Sequence, residues 1–162
     1  MSATILICLP FSGGARHSYK VFEEHLPSHI KLFPIELPGR ATRIRENLLV
    51  DIHRMVDDIF WQIFPLVNSR YAIYGHSMGT LLGYLTAKRL VQKRLPLPRH
   101  LFFTGRKGPS LPETKRRHLL SREDFIAELR ELGGSPDEIL NYDRLIDYYA
   151  PIIRAGFEDV ET

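Results

Sequence analysis

A short apolar run followed by a glycine-flanked serine constrains this chain more than any other feature. Residues 71–74 read Tyr-Ala-Ile-Tyr, which is typical of a buried strand, and residues 75–79 read Gly-His-Ser-Met-Gly. Leucines then recur at helical spacing, and basic residues crowd the far end of that segment, where positive charge suits a helix dipole. The sequence therefore predicts a strand, a sharp turn that carries Ser77, and a helix that begins directly after it.

Such a turn is typical of the nucleophile elbow of an α/β-hydrolase, with Ser77 as the nucleophile. The glycines on either side leave room for neighbouring chain, and the Met78 amide, at the helix start, would point toward negative charge that develops beside Ser77. A glycine-rich turn that holds an ordinary surface serine is the alternative. Because adjacent residues on a tight turn diverge, we expect His76 to be a packed or partly solvated histidine, not the base for Ser77.

Apolar runs and helical periodicities alternate along the first two thirds of the chain. Strands are predicted at Thr4–Leu9, 30–37 and Leu101–Thr104, a short helix capped by Ser18 after the first strand, and a strongly amphipathic helix over 49–63. Strands that alternate with helices imply a mostly parallel sheet. We therefore expect an α/β fold of the three-layer α/β-hydrolase type.

The pattern changes after Gly105, where strands stop and helical signals follow one another. Ser121 with Asp124 predicts a capped helix that ends at 133–134, a second helix start falls at 135–138, and an apolar stripe over 145–157 predicts a third helix, bent at Pro151. We expect a core at 1–105 and a helical lid at 106–162, over the carboxyl ends of the strands, where ligands bind in such folds. A helical tail packed elsewhere is the alternative.

Composition limits the function classes that the chain can belong to. With 162 residues, 44% of them hydrophobic, it can bury the core of one domain, and a formal net charge of +3 does not argue for nucleic-acid binding. The single cysteine, Cys8, favours a reducing, cytoplasmic setting. No run approaches the length of a membrane span, and no metal-ligand spacing occurs, so we expect neither a membrane, nor a metal, nor a cofactor.

Four short motifs in order resemble a known family, the type II thioesterases of non-ribosomal peptide and polyketide synthesis. They are PFSGG at 10–14, ELPGR at 36–40, GHSMG at 75–79 and TGRKGP at 104–109. The resemblance implies hydrolysis of acyl thioesters from the phosphopantetheine arms of carrier proteins, which clears stalled synthases, without a cofactor. It implies Ser77 as nucleophile and an oxyanion hole made by backbone N–H groups of Met78 and of Phe11 or Ser12, while substrate-binding residues stay unassigned.

The residues support part of this independently. Gly13 and Gly14 after a buried strand allow the backbone to turn its amides toward the neighbouring strand end, although an ordinary strand-to-helix turn would use the same residues. Gly39 serves a turn. Arg40 fits either a position at the mouth of the pocket or a solvated side chain.

The sequence departs from the family in its partners for Ser77. The resemblance implies an aspartate after a later strand and then a histidine, but after Ser77 only His100 and His118 occur, at a strand start and in a basic loop. We expect neither to act as the base. We therefore interpret the chain as the first two thirds of a thioesterase, with two further strands missing and an open hydrophobic sheet edge.

Two other functions remain open at this point. The serine turn alone would fit a general esterase or acyltransferase on the same fold. The basic stretch 88–117 would also fit a non-catalytic module that binds acyl chains or acidic carrier proteins, although a solvated surface explains those charges too.

Overall fold

A computed structural model describes residues 3–49, 51–108, 111, 114–132 and 140–161 of the protein. Within them four strands form one sheet: β1 (Thr4–Leu9), β2 (Ile30–Pro34), β3 (Tyr71–His76) and β4 (Leu101–Thr104). The strand order is β2-β1-β3-β4 and every pair is parallel. The predicted α/β class with a parallel sheet is therefore confirmed.

Helices connect the strands and follow the sheet. They are α1 (Lys20–Glu23), α2 (Ile52–Ile63), α3 (Met78–Gln92), α4 (Arg122–Leu132) and α5 (Asp143–Glu161), with 3-10 turns at Arg16–Tyr19, Ala41–Arg43, Phe64–Leu66 and Arg117–Leu119. The amphipathic helix predicted over 49–63 is confirmed as α2. It begins later than the periodicity because Asp51 caps it, its carboxylate accepting the Arg54 N–H at 2.8 Å.

The larger apolar cluster, the sheet core, lies where β1 and β3 pack against α2 and α3. Its buried members are Ile7, Leu9, Ile35, Leu37, Met55, Val56, Ile59, Phe60, Ile63, Val67, Tyr71, Ile73, Met78, Leu82 and Leu90. Cys8 is also fully buried on β1, and burial raises the pKa of its thiol to about 12.

A second apolar cluster, the cap cluster, lies among the helices that follow the sheet. Its buried members are Phe125, Leu129, Leu140, Ile146, Ile153 and Phe157. Ser121 starts α4 as predicted, since its hydroxyl accepts the Asp124 N–H at 3.1 Å. Two apolar clusters agree with a separate core and lid, but the boundary between 1–105 and 106–162 stays a prediction.

The sheet edge at β4 is open within the described residues. β4 pairs with β3, and Leu101 and Phe102 are about half exposed. A cavity of about 450 Å³ lies beside it against α3, lined by Tyr84, Val91 and Leu97 among others. An apolar sheet edge that faces solvent agrees with the expectation of an open hydrophobic edge.

Some local predictions were wrong or fall outside the described residues. Ser18 does not cap a helix but lies inside the 3-10 turn, where its hydroxyl accepts the Ala15 N–H. The strand predicted over 30–37 ends at Pro34. The helix predicted over 145–157 is confirmed as α5, which contains Pro151, and the bend expected there stays a prediction. The helix end at 133–134 and the helix start at 135–138 lie outside the described residues.

Candidate active site

Ser77 lies on a sharp turn between β3 and α3. Its φ is +53° and its ψ is −117°, while β3 ends at His76 and α3 begins at Met78. A positive φ is unfavourable for a residue with a side chain, costs about 1–3 kcal/mol, and persists only where the surrounding structure enforces it. The predicted strand, turn and helix around Ser77 are confirmed.

The glycines that flank Ser77 are required by close backbone approach. A Cβ on Gly75 would lie 2.1 Å from the carbonyl oxygen of Gly79, and a Cβ on Gly79 would lie 2.8 Å from that of Leu9. No side chain fits at either distance. The turn therefore closes tightly on itself and packs against the end of β1.

Hydrogen bonds to β4 hold the turn in place. The Ser77 N–H donates to the Thr104 carbonyl at 2.9 Å. The buried Thr80 hydroxyl lies within hydrogen-bonding distance of two carbonyl oxygens, that of Gly75 at 3.1 Å and that of Thr104 at 3.0 Å. These hydrogen bonds hold Ser77 in its unfavourable positive φ.

A second turn, residues 11–14, follows the end of β1 next to the serine. The Gly14 N–H donates to the Phe11 carbonyl at 2.8 Å, and Gly13 has a φ of +75°. A positive φ at the third position is the signature of a type II turn. Because Leu9 pairs with Gly75 and Gly79 packs on Leu9, this turn lies beside the Ser77 turn.

Arg40 is hydrogen-bonded to the 11–14 turn. Its side chain is 3% exposed, and its Nη1 donates to the Phe11 carbonyl and to the Gly14 carbonyl, both at 3.2 Å. Of the two alternatives that the sequence left open for Arg40, the solvated side chain is therefore wrong. The sequence carried only one indication of this role, the position of Arg40 directly after the turn that Gly39 makes with a φ of +77°.

The amides singled out from the sequence have no hydrogen-bond acceptor among the described residues. Met78 is the first residue of α3, so its N–H has no partner within the helix. Among the described residues, no hydrogen bond is donated by the N–H of Met78, Phe11 or Ser12. The Ser12 hydroxyl is buried and, in the same part of the chain, also has no partner.

The histidines do not reach Ser77. His76 is exposed, its Nδ1 lies 3.1 Å from the Thr104 hydroxyl, and its ring meets that of Phe11 edge to face. His100 precedes β4 at the opposite end of the sheet, and His118 lies in a 3-10 turn. No side chain in the described ranges forms a hydrogen bond with the Ser77 hydroxyl.

The cap cluster touches the site through Ile153. A Cβ on Gly13 would lie 2.8 Å from the Cγ1 of Ile153, so α5 lies directly on the 11–14 turn. The α5 helix is anchored in turn by Arg154, whose guanidinium donates to the His118 carbonyl at 2.8 Å. The α5 helix therefore reaches the edge of the site.

Two charged groups, Glu36 and Glu128, have surroundings that shift their pKa values in opposite directions. Glu36 is buried, and burial raises the pKa of its carboxyl against weaker opposing effects of the Arg16 and Thr42 amides and the His17 charge. In the basic stretch, Lys115 and Arg117 both pair with Glu128, at 3.1 and 2.7 Å. Glu128 therefore neutralises part of the positive charge that the sequence shows in the basic stretch 88–117.

Among the described residues, no group of three histidine, cysteine or acidic side chains is arranged to hold a metal ion. No helix in the same part of the chain combines the length and apolar character that a bilayer crossing requires.

Comparison with known proteins places this geometry in a family. A model of the thioesterase domain matches residues 4–162. The gramicidin S biosynthesis protein GrsT of Aneurinibacillus migulanus is 37% identical over 153 residues, which cover 94% of this chain and 60% of GrsT. The chain thus spans about three fifths of that relative's length.

Solved structures give the same result. The RedJ thioesterase from the prodiginine pathway of Streptomyces coelicolor superposes with a TM-score of 0.91 at 31% identity, over 99% of this chain and 63% of RedJ. The type II thioesterase BorB from the borrelidin biosynthetic cluster superposes with a TM-score of 0.84 at 32% identity, over 99% of this chain and 65% of BorB.

Proposed function

This chain belongs to the thioesterase domain family, and from that premise we propose that Ser77 is a nucleophile toward acyl thioesters. The proposed substrates are acyl groups on the phosphopantetheine arms of carrier proteins in non-ribosomal peptide or polyketide synthesis. Removing such groups would release a stalled synthase. Carrier proteins are then the partners of the enzyme, and its setting is cytoplasmic, as the single reduced cysteine suggests.

The observation that carries this proposal is the strained turn at Ser77. A φ of +53° between a strand and a helix lifts the serine side chain clear of its neighbours, and strain of this kind collects at sites of chemistry. In the proposed step the Ser77 Oγ forms a bond with the acyl carbon and the carbon–sulfur bond breaks. The hydroxyl proton passes to a base, and the thiol leaves with a proton from solvent.

Negative charge on the acyl oxygen must be stabilised while this happens. We propose that the backbone N–H of Met78 and a second N–H from the 11–14 turn donate to that oxygen. Between the two candidates, Ser12 is favoured over Phe11. Arg40 holds the Phe11 carbonyl by a hydrogen bond, and the trans peptide directs the Ser12 N–H to the side opposite that carbonyl.

We further propose that residues 106–162 form a lid over the core at 1–105. The contact between Ile153 and the 11–14 turn supports this arrangement, because it brings α5 onto the turn that lies beside the Ser77 turn. The apolar side chains of the cap cluster suit an acyl group.

The test is covalent labelling of the 162-residue chain. The purified protein is incubated with an acyl-pantetheine thioester, with and without imidazole as a diffusible base, and followed by intact mass and by released thiol. We expect an adduct of the acyl mass that imidazole accelerates. Ser77→Ala should abolish the adduct, whereas Ser69→Ala, at an exposed serine in a loop, should not change it.

Other outcomes would select other functions. Faster reaction with a simple aryl ester than with the thioester would indicate a general esterase. Saturable binding of the acyl-pantetheine by folded protein, with neither adduct nor thiol in either buffer, would contradict the proposal and indicate a binding module. The binding module is the alternative that the structure favours next, because no described side chain forms a hydrogen bond with the Ser77 hydroxyl.

A further inference from the structure

Arg40 is a buried cation that donates hydrogen bonds to two main-chain carbonyls. Only 3% of its surface is exposed. Burying a guanidinium is unfavourable unless hydrogen bonds replace its water. Here the Nη1 group donates to two carbonyls of one turn, at Phe11 and Gly14, 29 and 26 residues away along the chain. An arginine kept in such a place acts on the position of that turn.

The segment that carries Arg40 is itself held firmly. The Gly39 N–H donates to the Arg43 carbonyl at 3.1 Å, and the Arg43 N–H donates to the Arg40 carbonyl at 2.7 Å. The Arg43 side chain pairs with Asp58 of α2 and with Glu46, both of which raise its pKa. The loop that carries Arg40 is therefore bonded both within itself and, through Arg43, to α2.

Because the peptide group is planar, a contact that holds the Phe11 carbonyl also sets the direction of the Ser12 N–H. No described peptide bond is cis, so the C=O of Phe11 and the N–H of Ser12 point to opposite sides of one plane. Fixing the Phe11 oxygen against Arg40 fixes the Ser12 N–H away from it. A cation on the carbonyl also polarises the peptide, which makes the same N–H a better donor.

We propose that Arg40 is a positioning residue that aims the Ser12 N–H at the oxyanion beside Ser77. The inference rests on the proposed function, since it concerns the oxyanion hole of that reaction. Arg40 touches neither the substrate nor the reacting atoms. It acts on them through the Phe11–Ser12 peptide.

The first experiment measures the turn without any chemistry. Hydrogen exchange of the Gly14 amide, which donates to the Phe11 carbonyl, is compared in the unaltered chain, in Arg40→Met and in Arg45→Met. Arg45 is an exposed arginine in the following loop and serves as the matched loss of charge. We expect Gly14 to exchange at least tenfold faster in R40M alone. Unchanged exchange would overturn the inference whatever the activity of the chain.

The second experiment tests whether Arg40 acts through Ser12. Ser12→Pro removes the N–H at a position where a type II turn favours proline, and Ser12→Ala keeps the N–H as its control. Loss of one oxyanion donor slows acyl transfer about 10²–10³-fold, so we expect S12P to slow Ser77 acylation in this range. R40M should slow the maximal rate about tenfold or more with little change in KM, and R40K should recover part of it.

The double variant separates positioning from general damage. If Arg40 works through the Ser12 N–H, R40M should slow the S12P protein no further. Independent, multiplied effects would overturn the inference and indicate a merely structural arginine. Absence of any Ser77 adduct in the unaltered chain would instead count against the proposed function, and the exchange of Gly14 would then decide about Arg40 alone.

Discussion

The sheet core and the cap cluster are stabilised in different ways. The sheet core gathers fifteen buried apolar side chains between parallel strands and two helices. The cap cluster has six, and arginines cover them: Arg154 lies 4.0 Å from the ring centre of Phe125, and Arg117 lies 5.5 Å from that of Phe157. The first region depends on apolar burial, whereas the second also depends on charge.

This difference matters because the site lies between the two regions. The Ser77 turn belongs to the sheet core, while α5 contacts the 11–14 turn through Ile153. A change of pH or salt should therefore loosen one wall of the site and leave the serine in place.

Truncation of a core side chain should destabilise the whole domain, and truncation in the cap should not. Ile73→Ala on β3, at a fully buried position, should lower the free energy of unfolding by about 4 kcal/mol in urea titration. Leu129→Ala on α4 should speed hydrogen exchange of the cap helices while the amides of the four strands keep their protection. Equal loss of strand protection in both variants would show that the two regions unfold as one.

An added side-chain atom in the Ser77 turn should cause the next largest loss of stability. Gly75→Ala places a Cβ 2.1 Å from a backbone oxygen that cannot move freely, and should cost about 3 kcal/mol in urea titration. Gly108→Ala is the matched control, because among the described residues, its chain neighbours apart, no atom lies within 4 Å of the added Cβ. A wild-type midpoint for Gly75→Ala would mean that the turn is looser than its contacts indicate.

The charge dependence of the cap should be visible at acid pH. Arg117 and Lys115 lower the pKa of the Glu128 carboxyl below its usual value near 4.5. A lowered folded-state pKa contributes stability above the usual value, and this is lost as pH falls through the lowered one. Cap exchange should therefore accelerate below about pH 4, and Glu128→Gln, expected to cost about 1 kcal/mol or less, should abolish that acid dependence.

The smallest effect is expected at an exposed ion pair of the cap. Arg122 joins Asp143 and Asp147 at 2.7 and 3.2 Å, with all three side chains about half exposed or more. Exposed pairs are screened by solvent and salt. Arg122→Ala should leave the urea midpoint and cap exchange unchanged within error. A clear loss would show that the surface charges of the cap act as a network.

Local patterns were sufficient to predict the elements of the sheet region. The apolar runs at β1 and β4, the periodicity of α2 and the glycine-flanked serine each state their structure within a few residues. The course of α5 through Pro151 was less apparent, because the apolar stripe indicated a helix and the proline a bend. Interactions between residues that are close in sequence thus account for most of the strands and helices.

The role of Arg40 could not be predicted in the same way. Its partners are carbonyl oxygens 26 and 29 residues away, and they meet the guanidinium only after β1 and the 38–40 turn have come together. Ser18 differs, because its hydroxyl accepts the N–H of Ala15 only three residues away, inside a 3-10 turn. The role of Arg40 depends on tertiary contacts, whereas that of Ser18 depends on a choice between two local hydrogen-bond patterns.

The buried thiol of Cys8 has a practical consequence for spectroscopy. A thiol with no exposed surface and a pKa of about 12 offers almost no thiolate to a maleimide at neutral pH. Because it is the single cysteine of the chain, two new ones, for example at exposed Lys93 and Glu131, would take fluorophores without replacing it. The distance between sheet and cap could then be followed in one molecule at a time.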